Sequence, residues 1–329
     1  MLLKKKLKIG KIEVSPIIPA PLAGYTDSPY RRILKLCGAD LVCAPLLPVE
    51  AIARQKIKTI IRDIKFDESE RPIMFQFFGY KPESFVIAIN KVIEYGYKPD
   101  IININLGCSV KKILRAKSGG YLLKEPQTIY KIVEEILKNI TIPLTVKIRA
   151  GWNNENINYL QISQQLEKIC ISAIFFHPRT VSELFKNQAK WEYIKILKEN
   201  VKIPVIGNGD IKRIEDAEYM INMTNCDGIM VGRAIIGNPF FITYLNNYLI
   251  DGNKFFKIDL TKLFNTIKIH INYAREFYES ENIISFRKHL FKYLKGMKQI
   301  NKYRERINKL SKANEFIKLI DEIAENEKI

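Results

Sequence analysis

The chain has 329 residues, 47% of them apolar, and carries 53 Lys and Arg against 35 Asp and Glu, a net charge of +18. That is enough chain for a sizeable core, and it exceeds a (β/α)8 barrel of about 250 residues by one small further domain. The five cysteines include no C-x-x-C pair, which argues against a disulfide framework or a zinc site and for a reducing, cytoplasmic compartment.

The charge suits a polyanionic partner, nucleic acid first and an anionic membrane second. A Lys-, Ile- and Asn-rich coding bias would give the same excess. Met1 to Lys11 is too basic and too poor in apolar residues for a signal peptide, and no stretch approaches the length of an uninterrupted apolar membrane span.

In chain order, eight short apolar, β-branched runs predict strands: Ile17 to Pro21, Leu41 to Ala44, Ile73 to Phe77, Ile101 to Asn105, Leu144 to Ile148, Ala173 to Phe176, Val205 to Gly207 and Gly228 to Val231. Each is followed by a turn and an amphipathic helical stretch, the signature of a parallel sheet covered by helices. Eight like units favour a closed barrel, and the missing G-x-G-x-x-G after the first run weakens a Rossmann reading. After Asn247 strand punctuation stops. Helices are expected over Leu260 to Tyr278, Ile283 to Gly296 and Asn314 to Ala324, with a shorter one between. The fold expectation is therefore an α/β (β/α)8 TIM barrel over residues 1–250 and a small all-α domain over 251–329.

Polar residues and glycines gather at the C-terminal ends of the runs, where barrel active sites are built. Asn208-Gly209-Asp210 and Gly232-Arg233 follow the seventh and eighth runs, the usual place of a barrel phosphate site. The short stretch Ala234 to Ile236 is a candidate for the helix that points N–H groups at the anion. This indicates a phosphorylated ligand, cofactor or substrate. Cys108 sits in Asn105-Leu106-Gly107-Cys108, with Gly119-Gly120 further on. A thiol there can be nucleophile, acid or redox centre. A nucleophile normally has a histidine base, and of His177, His270 and His289 only His177 lies at a strand end, so an unassisted, protonated thiol is favoured. Cys37, Cys43, Cys170 and Cys226 read as small buried apolar groups. Lys147, with Arg149 and Gly151, is costly inside a barrel unless it meets an anion; a Schiff-base lysine is the competing reading.

The stretches Ala20 to Asp27, Gln76 to Gly79, Asn103 to Cys108, Gly119 to Leu123, Thr145 to Trp152, His177 to Thr180, Ile206 to Asp210 and Val231 to Phe240 resemble the tRNA-dihydrouridine synthases, most of all the bacterial B-type branch. The resemblance runs in order over about residues 14–245. It implies an FMN barrel that takes electrons from NADPH and reduces the C5=C6 bond of uridines in the tRNA D-loop. In that pattern Pro21, Leu22 and Ala23 lie against the flavin, Gln76 and Lys147 bind its ring, and Asn208, Gly209, Asp210, Gly232 and Arg233 hold its phosphate. Cys108 is the acid toward C5, Asn105 positions the substrate, and His177 and Arg179 form a pair next to flavin and RNA. One departure is Ser109, where the family usually has proline.

Between Arg287 and Lys312 ten basic residues face Glu305 alone, interleaved with His289, Phe291, Tyr293 and Tyr303. Such a segment suits a phosphate backbone with occasional base stacking, and Arg287, Lys288, Lys292 and Lys295 are its first candidates. A solvated helix face over core aromatics is the plainer alternative. The expectation is a monomer with tRNA as partner and neither membrane nor metal. Two other readings share the barrel motifs: a flavin barrel acting on a free pyrimidine, like dihydroorotate dehydrogenase, and an RNA-binding barrel without catalysis.

Overall fold

A computed structural model describes residues 2–54, 60–253, 259–297 and 300–327. The chain opens on a hairpin of β1 (Leu7–Ile9) and β2 (Ile12–Val14), which pair antiparallel around Gly10-Lys11. Gly10 has φ +59, and a Cβ there would lie 2.9 Å from Pro143. The turn therefore needs glycine twice over, for conformation and for clearance. Sequence reading missed this hairpin, because two three-residue strands fall below the length at which alternation stands out.

Eight parallel strands follow: β3 (Ile17–Pro19), β4 (Val42–Pro48), β5 (Ile73–Phe78), β6 (Ile101–Leu106), β7 (Leu144–Arg149), β8 (Ala173–His177), β9 (Val205–Asn208) and β10 (Gly228–Val231). β4 to β10 pair in chain order, β10 also pairs with β3, and β3 packs on β4, so the sheet curls into a nearly closed barrel. All eight predicted runs are strands. The second extends further than expected, to Pro48, through a register shift between Cys43 and Leu46. Pro45 cannot donate to the ladder, and a bulge there lets the strand continue.

Successive residues on these strands enter two cores. Ile17, Phe75, Ile104, Val146 and Ile174 face the helices. Ile18, Met74, Ile101, Phe175 and Met230 fill the interior, together with Leu7, Ile9 and Val14 of the hairpin. Because Gly228 lies against Leu7 and Pro16, at the N-terminal ends of β10 and β3, the hairpin plugs that mouth. The opposite mouth is left to the loops. Cys37, Cys43 and Cys226 are buried as expected, whereas Cys170 is exposed. It sits at φ +70 in the turn after the helix Tyr159–Lys168, where a core position is geometrically out of reach.

Beyond the barrel lie the helices Leu260–Tyr278, Arg287–Tyr293, Ile300–Lys309 and Ala313–Asn326. The first starts on Asp259, whose side chain accepts from the Lys262 N–H, and it packs on the barrel helix Ser28–Leu36. The expected helix from Ile283 to Gly296 divides into a 3-10 turn, Ile284–Phe286, and the helix Arg287–Tyr293, with Gly296 left-handed at φ +93 beyond its end. Among the described residues no helix is long and apolar enough to cross a membrane.

Candidate active site

A cavity of about 520 Å³ opens at the C-terminal mouth of the barrel. Its walls come from the ends of all eight strands or the loops that follow them. Of the residues expected from sequence, Pro21, Leu22, Gln76, Asn105, Cys108, Lys147, His177, Arg179, Asn208, Gly209, Asp210, Gly232 and Arg233 line it. Ala23 does not; it is exposed on the loop after β3, turned away from the lining.

The Cys108 loop is held from two sides. The Asn105 side-chain oxygen accepts from the N–H groups of Gly107 (3.1 Å) and Cys108 (2.8 Å). From below, the Gly120 N–H donates to the Cys108 carbonyl at 3.0 Å. A Cβ on Gly120 would stand 2.6 Å from Val181 and 2.9 Å from that carbonyl, and one on Gly119 would meet the Cys108 Cβ at 3.0 Å. The glycine pair is thus the floor on which the cysteine loop lies. Burial raises the Cys108 thiol above its ordinary range, against the opposing pull of the Val110 N–H and of Arg149 and Lys147. The group is a neutral S–H donor at pH 7 rather than a thiolate.

Lys147 projects from β7 into the same cavity and has no hydrogen-bonding or ionic partner among the described residues. Burial, then the neighbouring Arg149, lowers its pKa to about 8, so at pH 7 it is still mostly an ammonium. Burial also drives His177 well below its ordinary value, helped by Lys147, Arg149, Arg179 and Arg233. The neutral ring takes a hydrogen bond on Nε2 from Arg179 at 3.1 Å, which places its proton on Nδ1. Asp210 is the single carboxylate in the lining. Burial works to raise its pKa, but the Ala189 N–H and Arg179 outweigh burial and hold it below the usual range.

Arg179, expected beside flavin and RNA, lines the cavity, with most of its donors committed to the protein. It is 2% exposed, and its guanidinium donates to the carbonyls of Lys186 and Asn187 and to Asp210 at 2.6 Å. Its donors are spent on clamping the loop after β8. Asn208 donates to the Met230 carbonyl, and Trp191 donates to the Gly209 carbonyl, which fixes the loop after β9. Gly209 has φ +123 and would drive a Cβ to 2.9 Å from His177. Gly232 is different: a Cβ there meets no protein atom closer than Ala20, at 4.0 Å. Next to it starts the 3-10 turn Arg233–Ile235. Clear space, free N–H groups and a cation together make an anion cradle.

Sequence reading missed Phe185, which is 59% exposed at the cavity rim between the guanidinium groups of Arg149 (5.4 Å) and Arg233 (5.1 Å). A lone phenylalanine in a loop carries no positional signal. It also missed Asn103 and Thr145, buried behind Gln76.

The basic candidates lie outside the cavity, on and after the helix Arg287–Tyr293. Arg287 is half-buried and donates from Nε to the Leu310 carbonyl at 2.5 Å, which ties the helices together. Lys288 sits over the Tyr25 ring. Lys292 and Lys295 are exposed and line a second cleft with Phe291 and Arg304. Helix and cradle touch: a Cβ on Gly237 would stand 2.3 Å from the Lys292 backbone.

Comparison with known proteins agrees with this geometry. The profile of the family described as dihydrouridine synthase (Dus) matches residues 18–328. The tRNA-dihydrouridine synthase B of Pasteurella multocida is 33% identical over 311 residues, covering 94% of this chain and 93% of that protein. The probable tRNA-dihydrouridine synthase of Aquifex aeolicus is 33% identical over 315 residues, covering 94% and 96%. Among solved structures, the old yellow enzyme homologue of Zymomonas mobilis superposes with a TM-score of 0.52 at 12% identity, covering 79% of this chain and 95% of that one. Histamine dehydrogenase of Rhizobium sp. 4-9 gives a TM-score of 0.59 at 12% identity over 83% and 51%. These two share the barrel. The family match spans nearly the whole chain and contains every strand-end motif described above, and the chain belongs to the dihydrouridine synthase family.

Proposed function

We propose that the chain is an FMN-dependent reductase of RNA that converts particular uridines of the tRNA D-loop to 5,6-dihydrouridine, with NADPH as electron donor. The observation that carries this reading is one cavity holding both an unpartnered ammonium, Lys147, and a half-buried, protonated thiol, Cys108. The names of the relatives supply the substrate class.

The residues fit a flavin mononucleotide. The Gly232 cradle, with Asn208, Gly209 and Arg233, would take its phosphate. Lys147 and Gln76 would meet the polar edge of its ring, and Pro21 and Leu22 would lie against its face. A flavin bound there would supply the hydride for the uracil C5=C6 bond. The chain's own groups do the rest. Cys108 gives its proton to C5, so that hydride and proton together saturate the double bond. Lys147 offsets negative charge on the ligand in a site where no neighbouring carboxylate competes for it. Asp210 holds Arg179, and through it the loop that carries Phe185.

A uridine can reach this cavity only after leaving the tRNA fold, at a cost of a few kcal/mol. Residues 251–329 would offset that cost through phosphate contacts by Lys292, Lys295 and Arg304. A reductase of free pyrimidine accounts for the cavity but leaves this basic helical region without a role. The test is reconstitution of the purified chain with FMN. A bound-flavin absorbance band that NADPH bleaches and unmodified tRNA restores is expected. A chain that retains no flavin contradicts the reading, and restoration by free uridine in a salt-insensitive manner favours the alternative.

A further inference from the structure

Four buried polar side chains run in one file across the barrel interior. Gln76, Asn103 and Thr145 are register partners on β5, β6 and β7, and Asn105 stands two residues beyond Asn103 on the same face. They are 0–7% exposed. Gln76 and Asn105 line the cavity; Asn103 and Thr145 do not.

Their hydrogen bonds run in one direction. The Thr145 hydroxyl donates to the Ile102 carbonyl at 3.0 Å, so toward Asn103 it can only accept, and the Asn103 Nδ2 donates to it at 2.8 Å. The Asn103 oxygen then faces Gln76 and accepts from its Nε2 at 2.6 Å. The Gln76 oxygen in turn accepts from the Asn105 Nδ2 at 2.8 Å. The Asn105 oxygen accepts from the N–H groups of Gly107 and Cys108. Both ends of the file are backbone groups that cannot reverse: a carbonyl at one end, amide N–H groups at the other. No amide in the file can be turned over without setting two like groups face to face.

Two things follow. The Asn105 oxygen accepts two bonds and the Gln76 oxygen one, while each amide nitrogen has one further N–H unspent in the file. With Lys147 beside Asn105 in register, this wall of the cavity is rich in donors: two amide N–H groups and an ammonium. A wall rich in donors suits a heterocycle whose edge carries carbonyl oxygens. The same file also ends on the backbone of Cys108, so the wall and the acid's loop are set by one chain of bonds.

We propose that Thr145 and Asn103 are positioning residues. They fix the donor polarity of Gln76 and Asn105 toward a carbonyl-bearing heterocycle and hold the Cys108 loop in register with it. The identity of that heterocycle rests on the flavin reading above; the effect on Cys108 does not.

The test compares Thr145→Val, which keeps shape and loses the hydroxyl, with Thr145→Ser, which restores it. Three readouts are taken on the full chain as purified: the spectrum of bound FMN, kcat and KM on tRNA, and the pH midpoint of Cys108 alkylation by iodoacetamide, followed on its own peptide. Thr145→Val is expected to shift the flavin spectrum, to lower kcat about 10- to 100-fold with KM for tRNA little changed, and to move the alkylation midpoint. Thr145→Ser should recover all three. A folded Thr145→Val with wild-type values overturns the proposal, and so does a Thr145→Ser as impaired as Thr145→Val. Should Thr145→Val not fold, Asn103→Leu breaks the same file and is read the same way. If the wild-type chain binds no FMN, the flavin reading falls and the alkylation midpoints alone decide on the file.

Discussion

Cys108 shows how much a single side chain's surroundings decide. Burial keeps its thiol protonated beyond the ordinary range, so as a proton donor it is active at low and neutral pH and fails as pH climbs through its raised value. With FMN saturating, turnover should therefore hold through neutral pH and fall only as the solution becomes alkaline. Cys108→Ser should lose about 10²- to 10⁴-fold in kcat, the usual worth of a general acid, while still binding FMN. Rapid-mixing rates against pH check both.

Lys147 is shifted the other way. Its ammonium is intact below a pKa of about 8 and is lost above it, so FMN should bind more weakly as pH rises past that value. Lys147→Met should bind FMN weakly at every pH and flatten the dependence. Fluorescence titrations from pH 6 to 9 read this directly. Both residues were legible in sequence as chemistry placed at a strand end. Arg179 was not legible as an anchor, because a basic residue advertises its charge and not the carbonyls and carboxylate that take its donors.

Among the elements, the eight strands were readable because each is a short apolar run set off by turn residues. The polar file Gln76–Asn103–Thr145 was not. A polar residue inside such a run says nothing about its partners until the register aligns three strands. The Gly119-Gly120 pair was readable only as glycines further along from the cysteine loop, whereas the structure makes it a contact surface. Gly120→Ala should push the Cys108 loop away, costing about 1–3 kcal/mol of stability by overpacking, and should cut turnover more than FMN affinity. Denaturant midpoints and kinetics on one preparation separate the two effects.

The junction between the barrel and the helical region was invisible in sequence. There Asp27 accepts from the Tyr278 hydroxyl at 3.0 Å and lies 4.0 Å from His289, whose Nε2 has no hydrogen-bond partner, while His270 meets Tyr293 at 3.1 Å. Burial lowers His289 to about 3 from an ordinary 6.5, with Lys288 adding to the effect. In that interval the unfolded chain binds a proton that the folded one does not, so stability should drain away as pH falls from 6.5 toward 3. His289→Phe should show a shallower acid loss in urea midpoints taken across that range.

At the scale of the molecule, the hairpin closes one mouth of the barrel, the helical region leans on the anion cradle through Gly237 and Lys292, and the surface carries a net charge of +18. The basic cleft of Lys292, Lys295 and Arg304 lies apart from the cavity, so it should govern RNA affinity and leave the flavin alone. Lys292→Glu combined with Lys295→Glu should weaken tRNA binding and reduce the slope of log affinity against log salt by about 2, with the FMN spectrum unchanged.

The account stands on reduction of uridine within RNA. The most direct measurement is dihydrouridine in unmodified tRNA after incubation with the FMN-loaded protein and NADPH, read by mass spectrometry as the gain of two hydrogens at defined positions. The wild-type protein should produce it at D-loop uridines, and Cys108→Ala should not. NADPH oxidation with no dihydrouridine in the tRNA, or full yield from Cys108→Ala, would contradict the account.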